Sequence, residues 1–261
     1  MKISEVLSFL EEKYPLHYQE DFDNCGVQCG DKEQEITGVL ICFEMSEETI
    51  DEAIRRNANL VISHHPLILR KGIFKIEPTN RVGRIICKAL ENRMVLYSMH
   101  TNLDSAIGGV NDTFAAKLGL QNVQVLSTIE GETNVGLGRI GDLPEALPAK
   151  VFLLRLKETL GLQVVRYYGN IDGIVRRVAV LGGGGSSFIG QALAAGADVY
   201  VTGDVKYHDF HSTDRKMLIA DIGHFESEHF IKEIIFNELK ENFNTFAVSL
   251  AESEKMQISI L

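Results

Sequence analysis

Short apolar runs alternate with amphipathic stretches, and that pattern predicts the elements. Leu60, Val61 and Ile62 form a buried strand, and Pro66 ends it because proline has no N–H for further sheet pairing. Residues 37–43 (TGVLICF) and 94–98 (MVLYS) read as two more strands. Ser46 is an N-cap followed by Glu47 and Glu48, where the helix dipole favours acids, and that helix runs to about Asn57. Thr49 stands where a full capping box has Glu or Gln. The β-α-β spacing predicts a parallel pair. An amphipathic helix begins at Ser4, and residues 21–31 (DFDNCGVQCGD) read as a turn-laden loop. Residues 73–80 connect to a helix over 81–92.

Beyond the third strand, Gly108 and Gly109 precede a helix through 115–118. Gly131, Gly136, Gly138 and Gly141 break the following stretch into short strands, and 148–160 is a helix with Pro148 at its tolerated first position. From Arg177 the early rhythm returns. Residues 178–181, 198–202, 217–221 and 246–250 are strands. A glycine-rich loop at 182–187 leads into a helix over 188–195, and a helix runs from His224 to about Asn242. This order predicts an α/β fold, and an internal duplication is one reading of it.

At 261 residues the chain can bury one large core or two small ones. The hydrophobic fraction of 45% and charged fraction of 24% are ordinary for a soluble globular protein. A formal charge of −10 argues against general affinity for nucleic-acid phosphates, and no apolar run reaches membrane-spanning length. The first residues do not read as a secretory signal, and Cys25, Cys29, Cys42 and Cys87 suggest no disulfide framework. Reduced thiols in a cytoplasmic protein are the expectation.

The chemistry collects where strands end. His64, His65, His100, His208, His211, His224 and His229 all follow apolar strands closely, and His17 alone of the eight histidines does not. In a parallel sheet such exits lie on one edge, where ligands bind. His224 and Glu228 are four apart on one helix face and could grip one ion, with Asp104 as a further carboxylate. Imidazoles and carboxylates without thiolate suit Zn, Mn, Fe, Ni or Co. If five such side chains share a site, two ions about 3.5–4 Å apart fit better than one. The alternative is that these histidines cap helices or fill the core separately.

SHHP at 63–66, HTNLD at 100–104, TGDVKYHD at 202–209 and GHFESE at 223–228 resemble, in order and spacing, the motifs of the Nif-three-like (NGG-one-interacting factor) family. Many of its members are called GTP cyclohydrolase I type 2 homologues. DNCGVQCGD at 23–31 and GGGGSS at 182–187 extend the resemblance over nearly the whole chain. It implies two intertwined α/β repeats with mixed, mostly parallel sheets, residues 1–125 and 126–261, with a metal site between them. It also implies a ring-shaped homohexamer, in a short form lacking the middle domain inserted in longer relatives. The implied ligands of two divalent ions are His64, His65, Asp104, His224 and Glu228, with His100 close to the metals. Glu44 departs from the pattern, because relatives commonly have Asp there; the added methylene shifts a carboxylate by roughly 1 Å.

The leading functional expectation is a metal-dependent hydrolase, GTP cyclohydrolase-like, acting on a nucleotide, pterin or related small molecule. His100 or Glu226 would shuttle protons. Glu226 also reads as a solvated acid at a helix start. GGGGSS lacks the lysine of a P-loop and reads as a tight turn, leaving Lys206 as the better phosphate candidate. The alternative is a non-enzymatic metal-binding protein, a metal chaperone or insertion factor. A transcription-related interaction protein, which follows from the family's name only, ranks third, and the acidic charge and absence of a DNA-binding motif argue against direct DNA contact. Neither nucleic acid nor membrane is an expected partner.

Overall fold

A computed structural model of the chain describes residues 1–69, 71–73 and 75–254. In chain order the strands are β1 (Gly26–Cys29), β2 (Gly38–Cys42), β3 (Leu60–Ser63), β4 (Val95–Ser98), β5 (Gln121–Thr128), β6 (Gly136–Pro148), β7 (Arg166–Tyr168), β8 (Ile174–Gly184), β9 (Val199–Gly203), β10 (Leu218–Asp221) and β11 (Ala247–Leu250). They form two mixed sheets within an α/β fold. The chain divides into two compact units. Among the described residues, Met1–Leu103 and residues 230–254 make the first and Asp104–His229 makes the second, so the first unit is built from two separate stretches of the chain. Among the described residues no helix is long and apolar enough to cross a membrane.

The sheet of the first unit runs β1-β4-β3-β2-β11. The pairs β4–β3, β3–β2 and β2–β11 are parallel and β4–β1 is antiparallel. Strands β2, β3 and β4 are buried at every position, as expected when helices cover both faces. On one face Leu40, Cys42, Val61 and Leu96 pack with Ile50 and Ala53 of helix Glu47–Arg55 and Ile85, Ile86 and Ala89 of helix Arg81–Glu91. Tyr97, the next residue along β4, points the other way and donates its hydroxyl to Glu11 of helix Ile3–Lys13. The predicted β-α-β unit is present, and Thr49 does complete the cap at Ser46: each residue's side chain accepts the other's backbone N–H.

Register then decides what the sheet presents. Cys42 pairs with Ser63 and Ser63 with Ser98, so β2, β3 and β4 end in one row. The Ser63 and Ser98 hydroxyls meet at 2.9 Å and lock that row. The residues after it, Phe43-Glu44, His64-His65 and Met99-His100, therefore leave the sheet side by side.

The second unit has the sheet β5-β6-β8-β9-β10-β7, with β8–β9 and β9–β10 parallel and antiparallel flanks. Its core joins Leu137, Ile140, Ala179, Tyr200 and Ile219 to Ile189 and Ala192 of helix Ile189–Ala194.

Four sequence expectations need correction. Residues 21–31 contain the edge strand β1. The glycines at 136, 138 and 141 do not break strands; they lie inside the 13-residue β6 and admit its neighbours. A Cβ on Gly136 (φ +149°) would stand 2.0 Å from the Ser127 carbonyl oxygen of β5. Gly182, Gly183 and Gly184 end β8 rather than forming a loop, and the helix expected from His224 to Asn242 is two, His224–Glu228 and Ile231–Asn242.

Gly136→Ala should cost about 2–4 kcal/mol from strain and overpacking. Gly131→Ala, at φ +86° with nothing within 4 Å, should cost only about 1–2 kcal/mol. Urea unfolding checks both, and equal losses would contradict the packing argument.

Candidate metal centre

Three imidazoles converge in the first unit. The ring centroids of His64, His65 and His100 are 4.9, 5.0 and 5.1 Å apart. Each offers a ligand atom within 4.8 Å of the others, close enough to hold a metal ion. Every one has an oxygen at Nδ1. His64, fully buried, donates to the Met99 carbonyl at 2.9 Å, and His65 donates to Glu44 Oε1 at 2.6 Å. His100 Nδ1 lies 2.8 Å from Asp23 Oδ2. A neutral imidazole donating from Nδ1 carries its acceptor lone pair on Nε2, which is the tautomer that metal ligation needs. Phe43 packs its ring against His64 and His65, with centroids at 5.6 and 4.6 Å.

Asp23 reaches this cluster because β1 runs antiparallel to β4 with Gly26 opposite Ser98. Residues just before Gly26 must therefore lie beside those just after Ser98. Its carboxylate also accepts the Thr101 N–H and hydroxyl. Burial pushes the Asp23 carboxyl up, but the bonds from His100 and Thr101 and the electrostatic pull of His100 outweigh it and hold it well below the usual range. Glu44 follows the same balance: burial raises it, and His65 with Arg81 brings it net below its ordinary value. A cavity of about 480 Å³ opens beside these groups, lined by Asp23, Glu44, His65, His100, Phe22 and Arg81 among others.

The second unit holds an imidazole–carboxylate pair. His224 Nε2 lies 3.2 Å from Glu228 Oε1, as the four-residue spacing predicts, and His224 Nδ1 donates to Asp204 Oδ2 at 2.7 Å. Asp204 follows β9 in the left-handed region at φ +55°. Glu228 is buried at 2% exposure against the end of β8. A Cβ on Gly183 (φ +69°) would stand 2.1 Å from Glu228 Oε1, so only glycine leaves room for that carboxylate. The Gly183 N–H also donates to Ser227 Oγ at 2.8 Å.

The profile of the family described as Duf34/NIF3 (NGG1p interacting factor 3) matches residues 1–257. The chain belongs to this family. A Clostridium perfringens protein called GTP cyclohydrolase 1 type 2 homolog is 34% identical over 247 residues, covering 94% of each chain. The crystal structure of a Bacillus cereus protein related to NIF3 superposes with TM-score 0.91 at 26% identity, covering 100% of this chain and 99% of the other. A Staphylococcus aureus hypothetical protein does so with TM-score 0.91 at 28% identity and the same coverage.

Of the histidines singled out by the NIF3-like pattern and by strand position, several stand apart from these groups. His208 and His211 are exposed among Tyr168 and Tyr207, and His229 stacks on Phe225. Asp104 is buried in helix Thr101–Ser105, where its carbonyl accepts from Asn111. The Glu226 carboxylate folds back over Gly223, and Lys206 is exposed. Asp23 and Asp204 were missed as site residues although both lie in recognised motifs, DNCGVQCGD and TGDVKYHD. Their signal was an acid at the edge of a strand, which reads equally well as turn chemistry. The four cysteines are free thiols.

Because the folded Asp23 carboxyl titrates below its unfolded value near 4, its stabilisation is fully present above that value and is lost as pH falls through the folded one. Asp23→Asn should therefore destabilise metal-free protein more at pH 7 than at pH 3. Urea unfolding at both pH values checks this, and a pH-independent loss would contradict it.

Proposed function

We propose that the chain is a di-metal hydrolase of GTP cyclohydrolase-like type, acting on a nucleotide, pterin or related small molecule. The proposed ligands of two divalent ions (Zn, Mn, Fe, Ni or Co) are His64, His65, Asp104, His224 and Glu228. The donor chemistry fits: imidazoles in the ligating tautomer with carboxylates suit such ions. Bound ions would polarise the scissile group and acidify a water molecule.

The chain's own groups do the rest. The Met99 carbonyl, Glu44 and Asp204 fix the tautomers of His64, His65 and His224. His100, with Asp23 at Nδ1, exchanges a proton at Nε2 during the reaction. Glu226 is the second candidate for that role.

The observation that carries hydrolysis over metal storage or delivery is the cavity of about 480 Å³ lined by His65, His100, Asp23 and Glu44. A structural metal site is closed, whereas a catalytic one keeps an open side and room for substrate. The relatives' name, GTP cyclohydrolase 1 type 2 homolog, supports the same substrate class. A homohexamer, carried by the family resemblance, and a cytoplasmic setting, carried by four cysteines without a disulfide framework, complete the reading.

Purified wild-type protein should contain divalent metal, and both His64→Ala and Glu228→Ala should lose most of it. Unchanged metal content in both variants would overturn the ligand assignment. In a screen of nucleotides, pterins and phosphoesters, metal-loaded protein should turn over at least one compound, and His100→Ala should slow that reaction by about 10²–10⁴-fold while retaining metal. Loaded protein inert across the screen would overturn the hydrolase reading.

A further inference from the structure

We propose that Glu254, clamped by Lys232, is a positioning residue that sets the His65 imidazole through Glu44; this rests on His65 being a metal ligand. Strand β11 pairs in parallel with β2, Leu250 opposite Ile41, and the Ala251 N–H donates to the Ile41 carbonyl at 2.8 Å. The chain leaving β11 thus runs beside the exit of β2. Three residues later, Glu254 Oε1 accepts two consecutive amides, Phe43 N–H at 2.8 Å and Glu44 N–H at 2.6 Å. Its other oxygen accepts from Lys232 Nζ at 2.7 Å, and the two side chains are only 7% and 17% exposed.

Those two amides belong to the residues that hold His65. Glu44 Oε1 takes the Nδ1–H at 2.6 Å, and the Phe43 carbonyl accepts the His65 backbone N–H at 3.2 Å. The Phe43-Glu44 segment is gripped by Glu254 on one side and by His65 on the other. With the peptide orientation fixed, the Glu44 side chain leaves the backbone from a set position beside the imidazole. This matters more for Glu than for a shorter acid, because the additional torsion must be restrained. Lys232 fixes the Glu254 carboxylate from behind.

A control lies in the same segment. Glu52 accepts the Glu252 N–H at 3.0 Å and the Ser253 N–H at 2.8 Å, anchoring residues 252–253 without touching Glu44 or His65. Glu52→Gln loosens the segment; Glu254→Gln and Lys232→Met alter the path to His65, and Lys232→Arg keeps the cation that holds Glu254.

Metal-free full-length protein is titrated with Zn(II) against a competing chelator, and the His65 ring nitrogens are followed by NMR before metal is added. Glu44→Gln should weaken Zn(II) binding by about 10–100-fold, and Glu254→Gln by about tenfold, with the His65 Nδ1–H signal shifted in both. Lys232→Met should follow Glu254→Gln, and Lys232→Arg should restore binding. Glu52→Gln should lower the unfolding midpoint yet leave affinity within about twofold. Wild-type affinity and an unmoved His65 signal in Glu254→Gln would overturn the proposal, as would an equal loss in Glu52→Gln. Wild-type protein that binds no Zn(II) while Glu254→Gln still moves the His65 signal would sink the metal reading and leave the positioning intact.

Discussion

The register of three parallel strands is the constraint on which the rest depends. Strands β2, β3 and β4 end together at Cys42, Ser63 and Ser98, and parallel pairing sends all three exits to the same edge. Nothing local to any one exit makes a site. His64 and His65 acquire Glu44 from one neighbouring strand and Met99 and His100 from the other because the row is level. A slip of one residue would turn alternate side chains to the opposite face, and both faces of this sheet are buried. The core therefore holds the register, and the register assembles the imidazoles.

Burying imidazoles is unfavourable unless their polar atoms are paired. Here that pairing also prepares chemistry. For His64 and His65 a carbonyl or carboxylate oxygen at Nδ1 orients the ring and selects the tautomer in one contact. The second unit applies the same rule to His224 through Asp204. Its Glu228 carboxylate enters space that only a glycine at 183 leaves open. The glycine-rich segment thus serves close approach at a side chain.

Much of the fold was legible because its signals are local. Apolar runs bounded by Pro66, the Ser46 cap and the glycines gave β2, β3, β4 and the helix between them nearly to the residue. The tandem His64-His65 was legible for the same reason, as was the spacing of His224 and Glu228. Asp23 was not, because its role depends on β1 lying antiparallel to β4 about 70 residues away, a pairing with no local signature. Glu254 escaped for a similar reason: the two amides it accepts are more than 200 residues away, beside β2. Gly136 was misread because a glycine that permits close strand contact and one that breaks a strand look alike in sequence.

The central claim is that the imidazoles are held at Nδ1 so as to bind metal through Nε2. Anomalous diffraction from crystals grown with Zn(II), collected at the zinc edge, tests it most directly. The account predicts density about 2.0–2.1 Å from Nε2 of His64 and His65, with Glu44 and the Met99 carbonyl still on the opposite nitrogens. Zinc bound through Nδ1 with those contacts broken, or zinc absent from both histidines, would contradict it.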